Sequence, residues 1–295
     1  MPPLGADSQL GVTRSIRALR ARVDGWKASG LTVGLVPTMG ALHKGHLSLI
    51  KQSKSLSDRT VASIFVNPAQ FAPSEDLATY PRNEARDLEL LQEAGCHLAY
   101  TPSVEEIYPP GFQTAVAVKE IAQGLDGASR PHFFGGVATV VCKLLNQVRP
   151  TVAIFGEKDF QQLLVIRRMV RDLDMPVEIV GAPIVREPDG LAMSSRNAYL
   201  SPEERKIAGR LNGVIAEMAD KLAAGAMVEI VEDEGRAALR SAGFSSTDYL
   251  ETRAEEDLAP LGPGPVPEGV KARVFVAVFV GKTRLIDNWP VGGED

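Results

Sequence analysis

Along the first 184 residues, short unbroken apolar runs alternate with stretches in which apolar residues recur every three or four positions. The runs predict buried strands at 32–36, 60–66, 97–100, 114–118, 151–155 and 177–180. The wider spacing predicts a helix from Thr13 onward, with Ile16, Leu19, Val23 and Trp26 in register and Gly30 as its stop. Further helices are predicted at 46–56, 82–94, 137–148 and 160–173. Continuous apolar strands alternating with helices imply a parallel sheet covered on both faces, an α/β arrangement. Beyond residue 184 the texture changes. Arg186-Glu187-Pro188-Asp189-Gly190 signals a turn, and Ser201-Pro202-Glu203-Glu204 opens a long helix with a capping pattern. A helix at 228–241 and strands at 247–253, 273–280 and 283–286 follow, with a Gly/Pro loop at 262–267. This second part reads as a smaller α+β domain over 185–295, behind a first domain over 1–184.

Ligands of parallel α/β sheets bind beyond the carboxyl ends of the strands. Three predicted turns sit there: Met39-Gly40-Ala41-Leu42-His43-Lys44-Gly45-His46, Asn67-Pro68-Ala69-Gln70 and Gly156-Glu157-Lys158-Asp159. His43 and His46 are three apart at a helix start, so they lie on one side of its first turn. Backbone N–H groups at a helix start suit phosphate, and glycines at 40 and 45 allow close approach. Two imidazoles beside such a cradle can donate to a phosphate gaining charge. Lys158 offers a point charge to a polyphosphate, and Gln162 faces the same side of its helix. Asn67 and Gln70 bring uncharged amides suited to a small polar substrate. Ser194, Ser195 and Arg196 place two hydroxyls and a guanidinium after a turn, chemistry that fits triphosphate oxygens. Arg130, in a Gly-bounded loop before a helix, is a candidate anion binder. The blander alternatives are surface histidines, a solvated lysine and ordinary loop polarity.

Composition narrows the field. The chain has 295 residues, 44% hydrophobic and 23% charged, as in a soluble globular protein. A net charge of -5 argues against wholesale nucleic-acid binding. Cys96 and Cys142 have no neighbours that suggest a metal site or a disulfide framework, pointing to a reducing cytoplasm. No apolar stretch reaches the roughly 18 residues of a membrane span. Met1-Pro2-Pro3-Leu4-Gly5 has neither the basic nor the apolar region of a signal peptide. The histidine pair lacks the acidic partner of a zinc helix motif, so no side chain is assigned to a metal.

Taken together, these words resemble the pantothenate synthetase (pantoate–β-alanine ligase) family, within the wider HxGH nucleotidyltransferase-like superfamily. The matching stretches are Val36-Pro37-Thr38-Met39-Gly40-Ala41-Leu42-His43-Lys44-Gly45-His46, Ser63-Ile64-Phe65-Val66-Asn67-Pro68-Ala69-Gln70-Phe71, Tyr80-Pro81-Arg82 and Phe155-Gly156-Glu157-Lys158-Asp159-Phe160-Gln161-Gln162, then Arg186-Glu187-Pro188-Asp189-Gly190-Leu191-Ala192-Met193-Ser194-Ser195-Arg196-Asn197. They keep the family's order from about residue 10 to 290. One departure is Arg130-Pro131-His132-Phe133-Phe134-Gly135-Gly136-Val137, whose histidine sits one position earlier than is usual in the family.

The resemblance implies a Rossmann-like ATP- and pantoate-binding domain with a smaller C-terminal lid. It also implies ATP-driven amide formation: pantoate attacks the α-phosphorus, pyrophosphate leaves, and β-alanine then displaces AMP from pantoyl adenylate. His46, His43 and Lys158 are then the catalytic candidates. ATP falls to residues 39–46, Gly156, Glu157, Lys158, Asp159, Val185, Met193, Ser194, Ser195 and Arg196. Pantoate falls to Gln70, Gln162 and Asn67, and β-alanine to Gln70. Magnesium on the triphosphate and a homodimer are expected on the same ground. The rivals are a nucleotidylyltransferase with a phosphate acceptor, which would want Arg or Lys where Asn67 and Gln70 stand, and a non-catalytic nucleotide-binding regulator.

Overall fold

In the computed structural model, which describes residues 9–73 and 75–293, the described residues form two compact units. The stretch Met1 to Gly5, which lacks the features of a signal peptide, lies outside the described residues. One unit runs to Glu157 and resumes over Gln162–Ala182; the other takes Lys158–Gln161 and the chain from Pro183 onward.

The first unit holds six parallel strands: β1 (Gly11–Thr13), β2 (Val33–Thr38), β3 (Arg59–Ile64), β4 (Leu98–Tyr100), β5 (Val152–Gly156) and β6 (Glu178–Ala182). Their order is β1-β4-β3-β2-β5-β6. The chain runs outward from β2 through β3 to β4 on one side, and from β5 to β6 on the other. The direction therefore reverses between β2 and β5, the place where such sheets open a crevice at their carboxyl ends.

The helices of this unit are α1 (Ile16–Ala28), α2 (Lys44–Leu56), α3 (Glu84–Glu93), α4 (Val104–Ile107), α5 (Leu125–Ser129), α6 (Phe133–Val148) and α7 (Phe160–Asp172), the last starting in the other unit. Ser15 caps α1 by accepting from Ala18 N–H, and Leu19 and Val23 bury its apolar stripe. Val36, Ala62, Ala99, Val152 and Ile154 pack with Leu49 and Ile50 of α2 and Leu91 of α3. On β2, Val33 and Leu35 alternate to the opposite face, where α1 and α6 meet the strand.

The second unit contains the helices α8 (Pro202–Ala208), α9 (Leu211–Ala223) and α10 (Val228–Ala242). These cover an antiparallel sheet of β7 (Ser246–Ala254), β8 (Ala272–Val280) and β9 (Thr283–Pro290), with β8 in the centre. Its core is Ile215, Met218, Leu222, Val231 and Leu239 against Leu250, Val274, Val276 and Val278. The outer edge of β7 is closed by α10: Arg236 donates to Leu250 O and Glu232 accepts from Thr252 N–H, which blunts a pairing edge.

Several expectations are corrected. Residues 114–118 form no strand; Val116 N–H instead donates to the Thr139 hydroxyl on α6 at 3.0 Å, and the segment is largely exposed. An apolar run gives a strand only where a partner edge accepts it. The long helix after Ser201 breaks at Gly209 and Arg210, where Arg210 N–H turns back to Ile207 O before α9 begins. Helix α6 starts at Phe133, so Gly135 and Gly136 lie inside its first turn rather than in a loop. Strand β9 continues to Pro290, carrying Asp287 and Asn288 into the sheet.

Candidate active site

Strand β2 ends at Thr38, and the chain crosses to α2 through two left-handed residues, Gly40 (φ 80°) and Ala41 (φ 50°). A Cβ on Gly40 would lie 2.9 Å from Asp87 Oδ2, so both φ and space require glycine there. Asp87, buried on α3, accepts from Ala41 N–H at 3.0 Å and from Leu42 N–H at 2.8 Å. Burial raises its carboxyl above the ordinary range, although those two N–H bonds pull the other way. Asp87 is not among the candidate residues that the sequence alone supplies. Its signal was present: an acid four residues before Leu91, on the stripe that α3 buries.

His43 is the N-cap of α2 and His46 its third residue, so the helix begins at Lys44, two residues before the predicted start. His43 Nδ1 accepts from Gly45 N–H at 3.2 Å, and His46 Nδ1 accepts from His43 N–H at 3.3 Å. The two ring centroids are 4.1 Å apart. Because both Nδ1 atoms accept, each neutral ring carries its proton on Nε2. The pair is therefore a capping box that doubles as two Nε2–H donors. Lys44 is exposed, while Met39, Ala41, Gly45 and His46 are half-buried.

After β3, Asn67 opens a single 3₁₀ turn, Pro68–Gln70. Asn67 Oδ1 accepts from Ala69 N–H at 3.3 Å and from the Tyr108 hydroxyl at 2.8 Å; Nδ2 donates to Gln70 Oε1 at 3.1 Å and Gly136 O at 3.2 Å. That is the full capacity of one amide. Asn67 thus braces Gln70, whose Nε2 is turned to the Met39 sulfur at 3.1 Å. Burial pushes the Tyr108 phenol up to about 12, so it stays a donor. A Cβ on Gly136 would come within 2.3 Å of Ala69 O, so α6 can reach this turn only through glycine. Arg130 is engaged by a carboxylate: it forks onto Glu75 at 2.6 and 2.8 Å, donates to Gln70 O at 3.3 Å and covers the Phe133 ring. His132 stands 4.0 Å from Glu75.

Of the third turn, Gly156 closes β5 beside β2, and Glu157 follows it in the same unit. Gln162 is half-buried on α7. Lys158 and Asp159 cluster with the second unit, their charges 3.8 Å apart. In that unit Val185 and Met193 meet: Met193 N–H donates to Val185 O at 2.9 Å, closing a small hairpin with Arg186 opposite Ala192. Arg186 is held by Asp287 through bonds of 2.7 and 3.1 Å. Burial raises the Asp287 carboxyl, against the pull of Arg186 and, more weakly, of the Lys158 charge. Ser194 caps the turn Ser195–Tyr199 by accepting from Arg196 N–H at 3.3 Å, so its hydroxyl shapes the loop that carries Ser195 and Arg196.

The structure thus gathers Met39, His43, His46, Asn67 and Gln70 in one unit, and Lys158, Val185, Met193 and Ser194 to Arg196 in the other. The family model for pantoate–β-alanine ligase matches residues 11–290. The chain belongs to this family. Among members of the pantoate–β-alanine ligase family, the pantothenate synthetase of Caulobacter vibrioides is 53% identical over 281 residues, covering 95% of this chain and 98% of that protein. The crystal structure of pantothenate synthetase from Thermus thermophilus is similar at 47% identity and a TM-score of 0.88, covering 95% of this chain and 99% of that one. The pantoate–β-alanine ligase of Francisella tularensis, solved with β-γ ATP and β-alanine, is 34% identical with a TM-score of 0.80, covering 97% and 99%.

Proposed function

We propose that this chain joins pantoate to β-alanine with ATP, releasing AMP and pyrophosphate through a pantoyl adenylate. The observation that carries the reading is the unbroken family match over 11–290, which includes the paired His43 and His46 with both Nδ1 atoms tied to backbone N–H groups. In the first half-reaction a pantoate carboxylate oxygen forms a bond to the α-phosphorus as the bond to pyrophosphate breaks. Nothing need be held covalently by the protein; position and charge stabilisation carry the step. The Nε2–H groups of His43 and His46 donate to phosphate oxygens as charge builds, while Lys158 steadies the departing pyrophosphate. In the second half-reaction the β-alanine amine attacks the pantoyl carbonyl carbon, AMP leaves, and the amine gives up a proton.

Pantoate is assigned to Gln70, Gln162 and Asn67, the last of which also braces Gln70, and β-alanine to Gln70. ATP is assigned to residues 39–46, to Gly156 through Asp159, and to Val185, Met193, Ser194, Ser195 and Arg196. Among the described residues no group of three or more His, Cys, Asp or Glu is placed to hold a metal. Magnesium on the triphosphate is proposed from the family resemblance. A cytoplasmic location is proposed from two thiols outside any disulfide, and no helix among the described residues is long and apolar enough to cross a membrane. A homodimer is proposed from the family resemblance alone; sedimentation at micromolar concentration reads it.

The test is pyrophosphate release. It should require pantoate and ATP together, and pantothenate should form only when β-alanine is added. Release with a phosphate acceptor in place of pantoate would favour the nucleotidylyltransferase rival. Lys158→Ala should slow pyrophosphate release far more than the reaction of supplied pantoyl adenylate with β-alanine; equal damage to both steps would remove Lys158 from its role.

A further inference from the structure

We propose that Asn288, on β9, is a positioning residue that sets the place of Lys158, a role that rests on the assignment of Lys158 to ATP. Asn288 is 1% exposed, and its side-chain partners Lys158 and Arg273 lie in the same unit as Asn288 itself. Its Nδ2 donates to Lys158 O at 3.0 Å, and its Oδ1 accepts from Arg273 at 2.5 Å. A guanidinium only donates and a carbonyl only accepts, so a single orientation of the Asn288 amide satisfies both partners. Arg273 is in turn held by Glu255 at 2.8 Å and covers the Phe160 ring at 4.2 Å. Phe160 also lies 5.9 Å from Phe275 on β8. The main chain of Lys158 is thus pinned at its carbonyl, and the residue two positions on is gripped by an aromatic neighbour and a cation.

The neighbouring residue does the matching job on the other phosphate segment. Asp287 holds Arg186, the residue that opens the hairpin leading to Ser194, Ser195 and Arg196. Two successive side chains of β9 therefore anchor both stretches of this unit assigned to phosphate. Nothing in the mechanism otherwise uses Asn288, Arg273 or Asp287. A buried amide with two charged or main-chain partners, aimed at the backbone of a catalytic lysine, is a preorganising device: it fixes where the flexible lysine stem begins.

The experiment measures the two half-reactions separately, as ATP- and pantoate-dependent pyrophosphate release and as pantothenate formation from supplied pantoyl adenylate plus β-alanine. Asn288→Ala should slow the first by about 10- to 100-fold, as expected for a displaced catalytic group, and leave the second nearly unchanged. Asn288→Asp keeps the Arg273 contact but sets an oxygen against the Lys158 carbonyl, so it should show the same split in a protein that retains its fold. In single-turnover measurements on a Lys158→Ala background, Asn288→Ala should add almost nothing to the loss. Equal slowing of both half-reactions, or an undiminished effect of Asn288→Ala without the lysine, overturns the role. A wild-type protein that releases no pyrophosphate overturns the ligase reading, and this role with it.

Discussion

Asp87→Asn probes how the nucleotide loop is held. The carboxylate accepts from Ala41 and Leu42 N–H at 3.0 and 2.8 Å, and each bond to a charged acceptor contributes about 1.5–3 kcal/mol. The amide has the same shape but one oxygen. One bond survives in weaker neutral form, and the other becomes donor facing donor. The neutral side chain recovers part of the burial cost, so the net loss of stability should be about 1–3 kcal/mol. Ala41, at φ 50°, occupies a left-handed conformation that costs roughly 1 kcal/mol and is retained because Asp87 grips its N–H. Released, the loop shifts His43 at the helix cap, and a displacement on the order of 1 Å lowers kcat/KM for ATP by about 100-fold. Urea denaturation and pyrophosphate release measure the two effects. The pH dependence has a definite sign. The native carboxyl lies above its ordinary value, so the folded state binds its proton more tightly than the unfolded chain. That contribution is full below the unfolded value of about 4 and is lost as pH rises through the raised native one. The stability gap between wild type and Asp87→Asn should therefore widen as pH falls through that window. A variant with unchanged stability and unchanged ATP kinetics would refute the reasoning.

Three further outcomes are expected. His46→Ala should stay folded and lose about 10²–10³-fold in adenylate formation, the cost of one preorganised donor; near wild-type adenylate formation would take the histidine out of the mechanism. Gly136→Ala should push a Cβ into Ala69 O, destabilise by about 1–3 kcal/mol and raise KM for pantoate by moving the turn that carries Gln70; thermal melting and pantoate titration check both. Gln70→Ala and Gln162→Ala should each weaken use of pantoate by about 1–3 kcal/mol, and unchanged pantoate constants in both would dissolve the assignment.

The parallel sheet, the turns after β2, β3 and β5, and the residues within those turns are legible in the chain without its structure. Those features are local: unbroken apolar runs demand burial on both faces, and histidines three apart at a helix start must share a side. The histidine pair, Asn67 with Gln70, and the hairpin around Asp189 could all be read this way. How each of these is held depends on packing between distant segments. Asp87 reaches Ala41 and Leu42 across 46 and 45 positions, Gly136 meets Asn67 across 69, and Asn288 meets Lys158 across 130. No periodicity encodes such pairs, because a hydrogen bond between distant segments depends on where the packed core delivers them. The same reason explains the corrections. The apolar run at 114–118 is local and real, yet Val116 N–H meets a helix side chain, Thr139, instead of a strand. Asn67, assigned to pantoate on its residue type, also makes four hydrogen bonds that no local pattern announces, one of them to Gln70.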